Sequence, residues 1–377
     1  MKEVKYPHMN ILAIESSCDE TAAAIVKDGV TVISNVVASS HDMHEKYGGI
    51  VPEVAARMQL ESILPVITEA LKPVQKEPGE PIMDTIPREI DAIAVTQGPG
   101  LIGSLLIGVE TAKTMAYTTG KPIIPVNHVL AHMYANFVHP VIASDGEAIP
   151  PGSPRQNKDE ASDDMFPAIS LVVSGGHTEL YRMESMKDVK WLGGTIDDAA
   201  GECFDKTARL LGFGHGGGLA IQTAAAAYTP GKSKMVALPR PMLDAKNRLN
   251  FSFSGLKTAI LREVNALKSK DLFTEDAVQA LSREVQETIT DVLVKKTLRA
   301  AEDLGVSTIL LSGGVSANTR LREKFREAGP SYTIHAPRIG LCTDNAVYIA
   351  SYAYFRGTEV PWDTITALPD LSVEVKS

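Results

Sequence analysis

Two histidines four residues apart, His128 and His132, follow directly on the apolar run Ile123-Ile124-Pro125-Val126. If that run is a strand and the histidines open a helix, both imidazoles lie on one helical face. This is how two nitrogens are presented to one transition metal. Zinc proteases use the same spacing, but they place a Glu, the hydrolytic base, directly after the first His. Here that position is Val129, so the pattern is a metal pair without that base. Asp344, in Cys342-Thr343-Asp344-Asn345, reads as a helix N-cap or as an oxygen ligand that completes the pair. Two histidines and one carboxylate with open positions suit Fe(II) or Zn(II). A lone His pair in a helix is more often structural, so the metal reading needs support from elsewhere in the chain.

Four other stretches carry groups suited to chemistry. The turn Glu15-Ser16-Ser17-Cys18-Asp19-Glu20-Thr21 packs carboxylates and hydroxyls between two apolar strands. Clustered carboxylates are costly unless they meet a cation, donors or one another; an exposed polar hairpin is the plain alternative. Ser174-Gly175-Gly176-His177-Thr178 is a second tight turn, whose glycines let backbone N–H groups approach a phosphate, with His177 positioned to touch the same group. Gly313-Gly314-Val315-Ser316-Ala317-Asn318 follows a strand and opens a helix, which favours an anion, with Asn318 able to reach a ribose or base edge. It is neither a Walker loop nor GxGxxG. Asp198, Glu202 and Asp205 fall on one face of an expected helix and could hold a ribose, or could simply complement the helix N-terminus.

The elements that must position these groups repeat. In each half a strand, a tight polar turn and a second strand (Ile11 to Lys27, then Ile169 to Arg182) are followed by a strand, a Gly-bearing loop and a helix (from Ala92, then from Thr308). Strands alternating with helices imply α/β layers, and the repeat implies two similar domains facing each other across a cleft. The expected division is residues 1–138, an acidic Pro/Gly-rich linker or insertion over 139–166, and a second domain over 167–377 that carries Asp344. Helices are expected over Pro52 to Leu71, Leu101 to Thr119, Asp198 to Leu211, Thr274 to Leu304, Ala317 to Ala328 and from Asp344 to before Gly357. The stripe Ala277-Leu281-Val285-Ile289-Val292-Leu293 reads as core.

Bulk properties set the class. The 377 residues, 44% hydrophobic and 22% charged, suffice for two full cores. No apolar run reaches the roughly 20 residues of a membrane span, and residues 1–8 show no signal or transit pattern, so a cytoplasmic protein is expected. Three cysteines without a CxxC pair suit a reducing compartment. A net charge of −9 is unlike that of a lone nucleic-acid binder; a nucleic-acid substrate would need a local basic patch or a partner.

Taken in order, these motifs resemble the TsaD/Gcp family of bacterial-type tRNA threonylcarbamoyl-transfer proteins, from about Asn10 to about Gly357. The resemblance is carried by Ile14 to Thr21, His44 to Glu53, Gly98-Pro99-Gly100-Leu101, His128 and His132, Val173 to Thr178, Asp197 to Lys206, Phe251 to Thr258, Gly313 to Asn318 and Cys342 to Asn345. It implies an actin/Hsp70/sugar-kinase-like fold with two α/β domains around a nucleotide cleft. It implies transfer of threonylcarbamoyl from threonylcarbamoyl-AMP to N6 of adenosine 37 in tRNAs reading codons that begin with A. It implies one divalent metal, Fe(II) ahead of Zn(II), on His128, His132 and Asp344. It places the adenylate (or ATP/ADP) on Val172, Val173, Ser174, Gly175, Gly176, Asp205, Gly218 and Asn318. Asp19 and Glu20 match acidic positions needed for activity, and one of these or His177 would take the amine proton. The implied partners are a TsaB-like paralogue, a TsaE-like ATPase and tRNA, with no membrane. The cations Lys206, Arg209, Lys246, Arg248 and Lys257 would meet phosphates.

Two departures stand out. His215-Gly216-Gly217-Gly218-Leu219 replaces a commoner Tyr-Pro-Gly-Gly-Pro, and Gln59 stands where the family usually has His. The competing readings are a sugar-kinase-like ATPase, for which the metal pair has no use, a metallo-endopeptidase, which would lack its base, and a non-catalytic scaffold paralogue, against which the retained His128, His132, Asp344, Asp19 and Glu20 argue.

Overall fold

The computed structural model describes residues 8–40, 43–44, 50–140, 165–214, 217–231, 236–243 and 249–374. The chain forms two units. One comprises Met1–Phe166, Ser185–Lys187 and Asp344–Val373; the other comprises Pro167–Glu184, Asp188–Thr343 and Glu374–Ser377. The expected division is thereby corrected: at Asp344 the chain returns to the first unit. The cause is the apolar final helix, which packs on four strands of the first sheet. Most of the expected linker, residues 141–164, lies outside the described residues.

The first unit is built on a six-stranded sheet of order β5-β4-β1-β2-β3-β6. Its strands are β1 (Asn10–Glu15), β2 (Glu20–Lys27), β3 (Thr31–Ser39), β4 (Ala92–Gly98), β5 (Ile123–Asn127) and β6 (His139–Pro140). β1 and β2 form the expected hairpin, with Ile14 opposite Ala23, while β1 pairs with β4 in parallel. Ile11–Ile14 of β1 and Ala22–Val26 of β2 are apolar and buried because both faces of the sheet are covered. Helices α1 (Pro52–Leu71), α2 (Ile82–Glu89) and α3 (Ile102–Thr119) connect the strands, α4 (His128–Ala131) follows β5, and the final helix is Val347–Arg356. α3 stops at Gly120, whose φ of 68° supplies the left-handed C-terminal residue.

The second unit repeats the plan. Its strands are β7 (Ala168–Val173), β8 (Thr178–Met183), β9 (Val189–Gly194), β10 (Thr308–Ser312) and β11 (Thr333–His335), in the order β11-β10-β7-β8-β9. Its helices are α5 (Ala200–Leu210), α6 (Gly217–Ala227), α7 (Ser254–Lys268), α8 (Glu275–Leu304) and α9 (Thr319–Glu327), which makes Val347–Arg356 α10. The matching strand orders bear out the repeat. α8 is capped by Thr274, whose side chain accepts from Ala277 N, and ends at Gly305 with φ 63°. Its stripe Leu281, Val285, Ile289, Val292 and Leu293 is buried, as expected of core.

Helices α2, α6 and α7 were not expected. The N-terminus of α7 explains its own case: Asp197, far away in sequence, accepts hydrogen bonds from Phe253 N at 2.8 Å and Ser254 N at 3.3 Å. A cap supplied through tertiary structure leaves no local start signal.

Two outcomes follow from this core. Ile289→Ala deletes fully buried volume and should destabilise the second unit by about 2–5 kcal/mol, read as a lower denaturant midpoint. Glu179, on β8, is buried and accepts from Trp191 Nε1 at 2.7 Å. Burial, with the Glu374 carboxylate adding to it, pushes its pKa up to about 7. Between an unfolded value of 4.5 and 7 the unfolded chain therefore binds fewer protons than the folded one, and stability falls as pH rises through that window. Glu179→Gln should flatten this slope and be more stable than the parent at pH values above it, measured by denaturant titration across pH.

A candidate metal centre and an acidic turn

β5 ends in Asn127, whose Oδ1 accepts from Val129 N and Leu130 N at 3.1 Å each. This N-cap starts the single turn of α4 at His128 and turns both histidines inward. Beyond it the chain tightens into a 3-10 helix over His132–Phe137, so the pair spans two helix types where one helix was expected. Both rings are buried, with centroids 4.7 Å apart.

Asp344 completes the group. Its Oδ1 lies 3.7 Å from His128 Nε2 and 3.4 Å from His132 Nε2, and one ligand atom from each of the three residues falls within 4.8 Å of the others. It does not cap α10, which begins three residues later with no side-chain cap. Instead Asn345 Oδ1 receives Val347 N at 3.0 Å. The ligand alternative of the sequence reading is the one the geometry matches, and all three residues belong to the first unit. Tyr348 supports the set: its OH donates to Asp344 Oδ1 at 3.2 Å and its ring lies 4.5 Å from that of His132.

Behind His128 stands Glu15, at the end of β1. His128 Nδ1–H donates to Glu15 Oε2 at 2.9 Å, which leaves Nε2 facing Asp344. Glu15 is itself held by Ser17 N at 2.5 Å and Thr96 Oγ1 at 2.6 Å. A carboxylate behind a ligating imidazole fixes its tautomer and raises its basicity. The electrostatics agree. Burial opposes charge on His128, but the Glu15 and Asp344 carboxylates outweigh it and raise its pKa to about 9. Burial also opposes ionisation of Asp344, yet the two imidazoles hold it well below the usual carboxylate range. Burial holds His132 below its ordinary value, and neither of its ring nitrogens has a hydrogen-bond partner among the described residues. A buried imidazole with both nitrogens unpartnered is expensive, and the 3.4 Å approach of Nε2 to Asp344 makes no hydrogen bond. A divalent cation between the three residues would satisfy Nε2.

The acidic turn joins β1 to β2. Asp19 is buried and Glu20 partly so. Burial, then the Asp344 and Asp19 carboxylates, push Glu20 up to about 10, and burial likewise pushes the Cys18 thiol far up. An excess of carboxylates around two imidazoles is the charge pattern a cation neutralises.

The expected nucleotide loops all lie in the second unit. Val172 and Val173 end β7, and Ser174 accepts at its backbone oxygen from Gly201 N at 3.2 Å, while Gly175 O receives Glu202 N at 3.0 Å. The N-terminus of α5 thus abuts the Gly175-Gly176 turn. A Cβ on Gly313 would meet Val173 O at 2.4 Å, whereas one on Gly175, Gly176, Gly218 or Gly314 would meet nothing within 4 Å. The backbone is therefore packed tightly on one side and open on the other. His177 sits in the turn, its N–H donating to Ser174 Oγ at 3.2 Å. Asp205 Oδ1 would lie 2.3 Å from a Cβ on Gly217, so only glycine allows that approach.

Several expected roles change. Asp198 precedes α5 rather than sharing its face, and Lys206 takes both Asp198 and Glu202 at 2.7 Å, so those carboxylates and that lysine neutralise one another. Asn318 is nearly buried, with Oδ1 capping α9 through Leu321 N at 3.0 Å and Nδ2 donating to Gln286 at 3.2 Å. Its amide holds the loop from behind. Lys246, Arg248, His215 and Gly216 lie outside the described residues. Glu15, Thr96 and Tyr348 were not singled out individually, although signals existed: a carboxylate closing an all-apolar strand, and a Tyr one helical turn after Asp344.

A family model described as tRNA N6-adenosine threonylcarbamoyltransferase matches residues 31–146 and 155–351. A relative of that name from Thermomicrobium roseum is 46% identical over 364 residues, covering 92% of each chain. Another from Persephonella marina is 43% identical, covering 93% of this chain and 91% of its own. Among solved structures, full-length HypF in its phosphate- and nucleotide-bound form aligns with a TM-score of 0.56 at 13% identity, over 93% of this chain and 46% of that one. That likeness concerns the fold, which is of the actin/Hsp70/sugar-kinase type. On the extent of the family match and the identity to these relatives, the chain belongs to the TsaD family of tRNA N6-adenosine threonylcarbamoyltransferases.

Proposed function

We propose that this protein transfers a threonylcarbamoyl group from threonylcarbamoyl-AMP to N6 of adenosine 37 in tRNAs that read codons beginning with A. The observation that carries the reading is the buried set His128, His132 and Asp344 backed by Glu15, in a chain whose relatives bear that enzyme name over nearly their full length. In the reaction the adenosine amine forms a bond to the carbamoyl carbon, the bond from that carbon to the phosphate oxygen breaks, AMP leaves, and N6 gives up a proton. The donor is already activated, so the protein's task is to orient it, stabilise developing charge and exclude water.

Each group has a part in this. The amides of Ser174, Gly175 and Gly176, with Val172 and Val173 behind them and Asp205, Gly218 and Asn318 around them, bind the adenylate, or ATP/ADP in its place. Asp19, Glu20 and His177 are the candidate acceptors for the amine proton. His128, His132 and Asp344 hold one divalent ion, Fe(II) in our reading with Zn(II) as the alternative, which supplies Lewis acidity and a fixed positive charge. Glu15 keeps His128 in the tautomer that can ligate. Val129 stands in the place of a protease's glutamate, so the residue that serves such enzymes as hydrolytic base is replaced here by an apolar one.

A protein of net charge −9 needs help to hold tRNA. We propose a TsaB-like paralogue as heterodimer partner and a TsaE-like ATPase. An apolar surface supports a partner: Leu60 and Leu64 of α1 and Ile102 and Leu106 of α3 are 41–65% exposed, and α1 packs against α3. No described helix is long and apolar enough to cross a membrane, and we place the protein in the cytoplasm.

Depleting the protein should remove N6-threonylcarbamoyladenosine from cellular tRNA, as seen by nucleoside mass spectrometry; an unchanged level would overturn the reading. His128→Ala and His132→Ala should each lower bound metal from about one equivalent toward none, by elemental analysis of the purified protein, and reduce transfer by a factor on the order of 100 or more.

A further inference from the structure

The five backbone carbonyls of the acidic turn are all occupied by donors from elsewhere in the first unit. Leu101 N donates to Ser17 O at 2.8 Å. Ser104 Oγ donates to Cys18 O at 3.1 Å, and Ser40 Oγ donates to Asp19 O at 2.8 Å. The amide of Gln59, on α1, serves three at once: its Nε2 lies 3.4 Å from Ser16 O, 2.9 Å from Cys18 O and 3.1 Å from Glu20 O.

Gln59 is fully buried, in an otherwise apolar stripe with Ala55, Ile63, Val66 and Ile67. Three surrounding carbonyls fix which end of its amide is nitrogen. Its Oε1 is buried with no hydrogen-bond partner among the described residues, a cost that an apolar residue at this site would not carry. Its polar contacts all go to the turn. Neighbouring backbone crowds the same turn: a Cβ on Gly100 would come within 2.5 Å of Ser17 O, and one on Gly108 within 2.3 Å of Ser16 Oγ. The turn cannot shift toward α3, and from α1 Gln59 is what holds it.

We propose that Gln59 is a positioning residue for the transfer reaction. Its amide N–H groups fix the backbone that carries Asp19 and Glu20, and through it the spacing between those carboxylates and the ligand set anchored by Glu15. The proposal rests on the threonylcarbamoyl-transfer reading for its kinetic consequence and on geometry alone for its structural one. What matters is the donor: a glutamate would turn an acceptor toward three carbonyls, a methionine would offer nothing, and a histidine would offer one ring N–H.

The test compares the full-length parent with Gln59→Met, Gln59→Glu, Gln59→His, Ser40→Ala and Ser40→Thr, with its partners, tRNA and threonylcarbamoyl-AMP. Gln59→Met should lower kcat roughly 10- to 100-fold while KM for tRNA stays within about twofold. Gln59→His should recover most of the loss, Ser40→Ala should lower kcat by a smaller factor, and Ser40→Thr should restore it. A second readout is independent of activity. Cys18 lies in the turn and is partly shielded, while Cys203 and Cys342 are buried. Alkylation of Cys18, followed by peptide mass spectrometry, should accelerate on the order of tenfold in Gln59→Met. A folded Gln59→Met with parental kcat and parental Cys18 alkylation overturns the proposal, as does a Gln59→His that behaves like Gln59→Met. Should Gln59→Met fail to fold, a folded Gln59→Glu, which turns an acceptor toward the same carbonyls, with parental kcat and alkylation overturns it. A parent that transfers nothing overturns the activity reading instead, and the alkylation series then decides on Gln59.

Discussion

The hydrogen bond from His128 to Glu15, 2.9 Å long and wholly buried, is the contact on which the rest of the site depends. It ties the end of β1 to the start of α4, and so joins two segments more than a hundred residues apart. A buried carboxylate and a buried imidazole are each costly alone. Together, with Thr96 and the Ser17 amide on the remaining oxygen positions, they become a fixed pair. That pair orients Nε2 of His128 toward Asp344, and Tyr348 steadies Asp344 from one turn further on. The group is held by partners on β1, β4 and α10.

The acidic turn follows the same logic through its backbone. Carboxylates near one another repel, and a flexible hairpin would relieve the strain by swinging outward. Here the carbonyls are pegged from α1, α3 and the end of β3, so the side chains remain where their charge is least comfortable. Preorganised polar groups of this kind need no rearrangement when a reaction develops charge. The elevated pKa of Glu20, caused by burial and by Asp344 and Asp19, is the electrostatic mark of that constraint.

The two units share a strand order yet carry different chemistry. In the first, the strand ends bear the histidine pair and the carboxylates. In the second, the equivalent ends bear glycine-rich turns whose backbone is packed tightly on one side and open on the other. A duplicated scaffold thus supplies equivalent strand ends at which unlike sites are built.

Much of this was legible in the chain itself. Apolar strands, polar turns and the 3.6-residue stripe of α8 are local patterns, so element type, the repeat and the pairing of His128 with His132 could be read directly. Gln59 was visible as a polar residue in an apolar stripe, and Glu15 as a carboxylate closing an apolar strand. Tertiary structure decided what these groups do. Asp344 had two readings, cap or ligand; α10 starts at Val347 without a side-chain cap, and the Asp344 carboxylate lies 3.4 Å from His132 Nε2. The boundary that assigned Asp344 to the second half failed because an apolar helix docks where its surface is buried, whatever its place in the sequence. The fold also gave Asn318 the N-cap of α9 and paired Asp198 with Lys206, contacts that spacing in the chain does not specify. Spacing along the chain decides which side chains share a face, whereas the cost of leaving a buried donor, acceptor or charge unpaired decides which partner each one takes, and those partners are brought together only by the fold.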